Sequence, residues 1–502
     1  MTDSQHTQDS RNSFDLVVIG SGPGGYTAAL RAAELDRSVA IVEKDDVVGG
    51  VCLNRGCIPT KALITAVHDI ETAEHAQSVG VNLEFHGIDY GALMKHKRHM
   101  VHTMTEGLSA LLSHRKVSVI HGVASIAKDH SVKVDDGDSE RTLTAHDIVI
   151  ATGSMPRGFA DEPFSHSVID SDRALALDTF PTSAVIIGSG AVALEFASLW
   201  NTAGTKVTLL ARHDRVLSHW SRRAGVTLTR ELKRSGINVI THANTTAIDS
   251  GENLGVTVHY EQVDRNAQDS DGGNGGNNGN GEKASSQHQV SADVALVAIG
   301  RTPSTGAQWF KDAGIDLDEH GLVATDELGR TSADHIWAVG DITAGHQMAH
   351  RAFEQGMTVA EAIAGLKPEP VDNDTIPSVV FSSPEAASVG LTLEQAESRE
   401  ELNDVKETAF PLLSNARVQM TGQNGSLSVV TGCEAAKTDT PIVLGVHMVG
   451  PCATELIAQA EQMVGNRTPL SKAARLIHPH PTISETIGEA LLKADGRPLN
   501  SR

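Results

Sequence analysis

Phe14-Asp-Leu-Val-Val-Ile-Gly20-Ser-Gly22-Pro-Gly-Gly25 joins an apolar run to a glycine cluster. Residues 14–19 have the continuous apolar pattern of a buried strand. Thr27–Leu35 then carry helical spacing, and Ser38–Glu43 form a second apolar run. Strand, glycine turn, helix and strand in that order are a βαβ unit. Gly20 allows the tight turn, Gly22 lets the backbone approach a pyrophosphate, and Gly25 lets the helix pack close to the strand. The helix N-terminus then faces the diphosphate, where its unpaired N–H groups favour negative charge. Glu43 closes the second strand, 18 residues after Gly25, where a carboxylate can accept from a ribose hydroxyl.

The pattern returns 168 residues later. The apolar run Ala184–Ile187 leads into Gly188, Gly190 and Ala193, a G-x-G-x-x-A match. A helical stretch to Gly204 and the strand-like run Lys206–Ala211 follow. This makes a second dinucleotide site, to which Gly300 in Asp293–Pro303 is also assigned. The position equivalent to Glu43 is Ala211, so the acid that would bind a 2′-hydroxyl is missing, and Arg212 comes next. A cation there suits a 2′-phosphate and NADP. Arg212 as an ordinary solvated residue leaves NAD open.

Cys52-Leu-Asn-Arg-Gly-Cys57-Ile-Pro-Thr-Lys61 lies just beyond the first site. Pro59 suits the first turn of a helix. Cys57 then stands at or just before a helix N-terminus, where the dipole lowers a thiol pKa. A metal centre would need further Cys or His at ligand spacing, and none is near. Two inert buried cysteines fit poorly with the surrounding Gly and Pro. The pair is therefore expected to be a redox disulfide, and no resident metal is expected.

Gly49-Gly-Val-Cys52 through Lys61 resembles the active-site signature of the pyridine nucleotide-disulfide oxidoreductases, and the likeness runs from about 14 to 495 outside one Gly/Asn-rich stretch. Ala338-Val-Gly-Asp341 resembles that family's second flavin contact. Ala349-His-Arg-Ala, Glu354, Gly356, Ile376–Phe381, Phe410-Pro, Ala416-Arg417 and Gly445–Pro451 resemble its dihydrolipoyl dehydrogenase branch. The resemblance implies FAD held by Gly20, Gly22, Gly25, Glu43, Lys61, Ala124, Asp341 and Ala349. It implies a Lys61–Glu195 pair beside the flavin, and NAD or NADP at the second site. His478-Pro-His480-Pro-Thr-Ile-Ser-Glu485 resembles the catalytic-base segment, making His480 the base and Glu485 its partner, with His478 the competing choice. The implied protein is a homodimer whose base comes from the other subunit. Its implied reaction oxidises protein-bound dihydrolipoamide on a lipoyl domain of a 2-oxoacid dehydrogenase or related complex. Two alternatives stand: an NADPH-dependent reductase of a small disulfide, suggested by Arg212, and a catalytically idle scaffold of a larger complex.

The whole chain agrees with this class. Its 502 residues suit about three or four domains. Hydrophobic residues at 40% and charged residues at 21% describe a globular protein with a real core. Forty-one Lys and Arg against 63 Asp and Glu leave −22, which argues against nucleic acid and anionic membranes as partners. Four cysteines exclude a disulfide scaffold. The expected architecture is α/β, with two Rossmann-like dinucleotide-binding domains and a C-terminal α+β interface domain. The expected divisions are a disordered tail over 1–13, an FAD domain over 14–156, and an NAD(P) domain over 157–296. A second FAD segment over 297–370 and a dimerisation domain over 371–502 complete the chain. Residues 264–288, rich in Gly, Asn and Ser, are expected to be a flexible loop. The polar start lacks a secretory signal pattern, so a cytoplasmic protein is expected.

Overall fold

The structure is a computed structural model that describes residues 12–251, 255–263, 285–435 and 440–500. The chain divides into two compact units. One comprises residues up to Ala62, Gly91–Pro156 and Arg301–Ile376, and the other Leu63–Tyr90, Arg157–Gly300 and Pro377 onward.

The first unit is built on the strand Ser13–Ile19. It pairs in parallel with Val39–Glu43 on one side and Glu140–Ile150 on the other. Ser118–His121 extends the sheet beyond Val39–Glu43, and Ile336–Ala338 pairs in parallel with Glu140–Ile150. The early part of Glu140–Ile150 also carries an antiparallel extension through Val132–Asp135 to Val123–Ile126. Leu16, Val17, Val18, Ile41, Val149 and Ile150 are fully buried, as expected of parallel strands covered on both faces.

The helix Pro23–Glu34 follows Gly22 at its N-cap, with Pro23 in the first turn, where a missing N–H costs nothing. Its small buried residues admit the helix Ala349–Ile363. A Cβ on Gly356 would stand 2.6 Å from the Gly24 carbonyl oxygen. Gly20 has φ +99°, a conformation that disfavours side chains. A Cβ on Gly25 would stand 2.0 Å from the Gly20 carbonyl oxygen, inside contact distance. Gly25→Ala is therefore expected to cost on the order of 1–3 kcal/mol, the range for overpacking a tight site. A fall in the thermal midpoint against wild type checks this, and an unchanged midpoint refutes it.

The second unit repeats the motif with Ser183–Ile187 inside a parallel sheet. The order is Asn238–Thr241, Lys206–Ala211, Ser183–Ile187, Val294–Val297, Val168–Ile169. Gly188 has φ +129°, and its Cβ would meet the Ala298 carbonyl oxygen at 2.2 Å, the counterpart of Gly20 against Ala151. An antiparallel meander of Ala243–Ser250, Val256–Val263 and Ser285–Ala292 follows. The C-terminal segment forms an antiparallel five-stranded sheet, ordered Ser378–Val380, Ala386–Gly390, Ile442–Val449, Ser426–Glu434, Leu402–Pro411. The helices Ala453–Gly465 and Glu485–Ala494 pack on it through Ile457, Ala460, Ile487 and Leu491. The architecture is the expected one: two Rossmann-like folds and an α+β segment.

Three details differ from the sequence expectations. Ser13 begins a strand, and the Asn12 carbonyl accepts from the Thr144 N–H at 2.8 Å, so the expected tail reaches too far; residues 1–11 lie outside the described residues. Ser285–His288 belong to a strand paired with the far end of Val256–Val263, where backbone bonding overrides a polar composition. The rest of the expected loop, 264–284, lies outside the described residues. Leu63–Tyr90 groups with the second unit rather than with 14–156. On the helix Cys57–Ser78, Glu71 accepts from the hydroxyls of Thr202 at 2.7 Å and Ser383 at 2.8 Å.

Candidate active site

The cysteine pair sits at a break between two helices of the glycine-rich first unit. Gly49, at φ +108°, is the N-cap of the short helix Gly50–Arg55, which carries Cys52. Asn54 Nδ2 pins this turn by donating to the carbonyls of Val48 at 3.1 Å and Gly50 at 3.0 Å. Arg55 anchors its end on Asp45 at 2.8 Å. Gly56 breaks the helix, and Cys57 opens the long helix Cys57–Ser78. A Cβ on Gly56 would stand 3.0 Å from the Val51 carbonyl oxygen, so the break is closely packed.

The two thiols hydrogen-bond to each other. That bond, then burial, holds the Cys52 thiol far above its usual range: removing a second proton beside an existing thiolate is costly. Asp341 pushes in the same direction, while Lys61, one turn along from Cys57, favours the Cys52 thiolate. Tyr26 lies against this pair. Burial first, then the two sulfurs, raises its hydroxyl to about 12, so it stays protonated at working pH. Nothing in the sequence singled out Tyr26.

The glycine loop fits a dinucleotide. Gly22 has nothing within 4 Å of where a Cβ would be, which leaves its backbone open to a phosphate at the start of the helix Pro23–Glu34. Glu43 is buried and accepts from the Ser21 N–H at 2.9 Å and the Asp45 N–H at 3.0 Å. The Ser21 hydroxyl also donates to Glu43 and accepts from the Gly49 N–H at 3.0 Å, tying the cysteine turn to the glycine loop. The carboxylate is thus held in place with one lone pair, on Oε1, left for a ribose. Asp341, in the turn Gly340–Ile342, accepts from Ser154 Oγ at 2.6 Å. Arg301 donates to that same Ser154 hydroxyl at 2.6 Å and to the Ser154 carbonyl at 2.7 Å. The Ser154–Arg301 clamp was not legible in sequence, because its members meet only through the pairing of Ser154–Pro156 with Arg301–Pro303. Ala349 begins the helix Ala349–Ile363, and Ala124 lies on the strand Val123–Ile126 opposite Val134.

In the second unit Gly190 is the N-cap of the helix Ala191–Thr202 and likewise has open space where a Cβ would be. Ala193 is fully buried. Glu195, on the same helix, is buried and accepts from the Phe381 N–H at 3.2 Å. Gly300 has φ +123°, and its carbonyl accepts from the Arg157 N–H at 3.0 Å. Ala211 ends its strand fully buried, and Arg212 beyond it is exposed. Asp214, two residues beyond Arg212, is held by Arg215 at 2.8 Å and Arg222 at 2.9 Å.

The two candidate bases are set apart. His480 is 79% exposed, and its Nδ1 lies 2.8 Å from Glu485 Oε1. The other Glu485 oxygen accepts from the Thr482 N–H at 2.9 Å. That N–H, then His480, holds the Glu485 carboxyl below its usual range, so it is ionised at neutral pH. The Nδ1–H of His480 can therefore donate to Glu485, leaving Nε2 free to take a proton. His478 instead packs on Gly488, burial lowers its pKa, and its Nε2 is enclosed without a hydrogen-bond partner.

The family model described as pyridine nucleotide-disulphide oxidoreductase matches residues 14–356. The dimerisation domain of the same family matches 376–491. The chain is 37% identical over 487 residues to a dihydrolipoyl dehydrogenase of Geobacillus stearothermophilus, covering 97% of each. It is 34% identical to one of Chlamydia pneumoniae, covering 97% of this chain and 98% of that one. Among solved structures it resembles LpdA from Mycobacterium tuberculosis, with a TM-score of 0.82, 25% identity, and coverage of 95% of this chain and 99% of that one. The Cu(II) complex of the flavoprotein disulfide reductase RclA from Escherichia coli gives a TM-score of 0.80 at 26% identity, covering 96% and 99%. No helix among the described residues is long and apolar enough to cross a membrane.

Proposed function

The chain belongs to the pyridine nucleotide-disulphide oxidoreductase family, and from that premise we propose that it oxidises dihydrolipoamide carried on a lipoyl domain, reducing a pyridine nucleotide. The observation that carries this is the thiol pair: Cys52 and Cys57 hydrogen-bond across a closely packed helix break in the same unit as the nucleotide-binding glycine loop. The family's dimerisation domain is present, and in the proposal His480 acts at the partner subunit's cysteines. The proposed compartment is the cytoplasm.

In the first step His480 Nε2 takes a proton from one thiol of the substrate, and Glu485 stabilises the imidazolium through Nδ1–H. The substrate thiolate attacks Cys52 Sγ of the oxidised pair. The Cys52–Cys57 bond breaks, and Cys57 leaves as a thiolate at the N-terminus of its helix. The second substrate thiol, deprotonated in turn, closes the substrate disulfide and releases Cys52. Lys61 stabilises the sulfur anion, and Tyr26, held protonated, adds no competing charge. Bound FAD would supply the redox chemistry that links the reduced cysteines to the nicotinamide. Gly20, Gly22, Gly25, Glu43, Lys61, Ala124, Asp341 and Ala349 are the residues proposed to hold it.

The test is anaerobic, dihydrolipoamide-dependent reduction of NAD⁺ and NADP⁺ side by side. Rapid turnover supports the proposal, and none from a yellow, folded protein sinks it. The exposed Arg212 beside the buried Ala211 favours a second reading for the coenzyme, NADP. On that reading Arg212→Ala should lower kcat/KM for NADP⁺ by about 10- to 150-fold, the loss of one charged hydrogen bond at roughly 1.5–3 kcal/mol. NAD⁺ turnover should not change; equal effects on both coenzymes would remove Arg212 as selector.

Gly22→Ala makes a complementary case. Its Cβ would meet no protein atom, so the apoprotein fold should keep its stability. The methyl would stand where the diphosphate approaches, so flavin content, read from visible absorbance, should fall. Full flavin content in this variant would move the phosphate site elsewhere.

A further inference from the structure

We propose that His146, Asp147 and His335 form a binding site for one divalent transition-metal ion of the zinc class. The pairing of two parallel strands builds it. Glu140–Ile150 and Ile336–Ala338 run side by side with Ile148 opposite Ile336, and the Ile148 N–H donates to the His335 carbonyl at 2.9 Å. This register sets His335 beside His146 and Asp147. One donor atom from each residue lies within 4.8 Å of the others. His146 Nδ1 is 2.6 Å from Asp147 Oδ2, and His335 Nδ1 is 3.7 Å from Asp147 Oδ1. A tetrahedral ion with bonds of about 2.0–2.2 Å spaces its ligands about 3.3–3.5 Å apart. The two distances end on different Asp147 oxygens, so side-chain rotations must bring the three donor atoms, already within 4.8 Å of one another, onto one ion.

The surroundings suit a ligand set. The Asp147 side chain is only 9% exposed, and Oδ1 also accepts from Trp337 Nε1–H at 2.9 Å. That is the outer-shell donor that orients a ligating carboxylate. The imidazoles are 71% and 60% exposed, which leaves an entry path and room for a water in a fourth position. The rings meet edge to face, with centroids 4.8 Å apart. His335 holds φ +61°, uncommon for a residue with a side chain, and its ring faces Asp147. Two imidazole nitrogens and one carboxylate select zinc, nickel or copper over calcium or magnesium. A single buried negative charge complements the dication.

The ion would tie together the two strands that lead onward to Ser154 and Asp341, which hydrogen-bond to each other. None of its three ligands belongs to the redox machinery.

The test is calorimetric titration of Zn²⁺ into the FAD-loaded, fully oxidised enzyme, in which the cysteines are tied up in their disulfide. Wild type should bind one Zn²⁺ per chain. His146→Gln and His335→Asn should each weaken binding by at least roughly 10- to 100-fold, the cost of losing even an outer-shell partner. Asn is chosen at 335 because it tolerates positive φ. A Cys52→Ser/Cys57→Ser double variant should bind as wild type does. The proposal is overturned if wild type binds no stoichiometric Zn²⁺, if the histidine variants bind unchanged, or if binding disappears with the cysteines.

Discussion

Cys52→Ser is expected to bring dithiol turnover to background while the protein stays yellow, and Cys57→Ser to do the same. A serine hydroxyl cannot form the disulfide that accepts the substrate's electrons, so the loss is of the reaction itself rather than of a rate factor. Flavin should survive either change, because the proposed flavin contacts are separate residues. Glu43 is anchored by Ser21 and Asp45, and Asp341 by Ser154. The two variants should differ in one respect. With Cys57 replaced, the sulfur whose hydrogen bond most raises the Cys52 thiol is gone, and Cys52 is left as a single thiol; with Cys52 replaced, Cys57 stays at its helix N-terminus. Turnover and flavin absorbance, measured on the same preparation, check this. Undiminished turnover in either variant sinks the proposed centre, and lost flavin in both would show that the thiols hold the cofactor.

The second large effect is expected from His480→Gln, a slowing of thiol chemistry by roughly 10²–10⁴-fold, the usual worth of a positioned general base. Its ring is exposed and its Nδ1 is committed to Glu485, the arrangement that leaves Nε2 free for a substrate thiol. His478, packed against Gly488 with an enclosed Nε2, lacks that freedom. Glu485→Gln should cost less, since the ring keeps a neutral partner. The Glu485 carboxyl is held below its usual range, so its support of His480 is present at neutral pH and lost as pH falls through that lowered value. Single-turnover reduction of the flavin by dihydrolipoamide reads these effects free of product release. An effect near unity at His480, with a large one at His478→Gln, would reassign the base.

The residues proposed to carry the chemistry could be named from sequence because they lie close together along the chain. Gly20 to Glu43 span one βαβ unit, Cys52 to Lys61 two helices joined at Gly56, and His480 to Glu485 a turn into a helix, all short enough for spacing to bring the residues together. The glycine counts carried the same information. A Cβ at Gly25 or Gly188 collides with a carbonyl oxygen, whereas one at Gly22 or Gly190 meets open space, and those are the two jobs the motif assigns to glycine.

Strand pairing decided the rest, because it joins residues from distant parts of the chain. Ser154 and Arg301 met on Asp341 only after their strands paired, and Tyr26, on the helix Pro23–Glu34, came against cysteines carried by later helices. Composition pointed the wrong way at Ser285–His288, where backbone bonds to Val256–Val263 make a strand of polar residues. His146, Asp147 and His335 show the contrast most clearly. No ligand spacing could be read for them in sequence, yet the register of two parallel strands sets their donor atoms within 4.8 Å of one another. Sequence by itself thus determined the two nucleotide folds and named the residues proposed for the redox chemistry, which depend on local spacing. Tertiary structure alone decided which side chains support that chemistry and where distant ligands converge, because sheet register is set by the packing of the whole core.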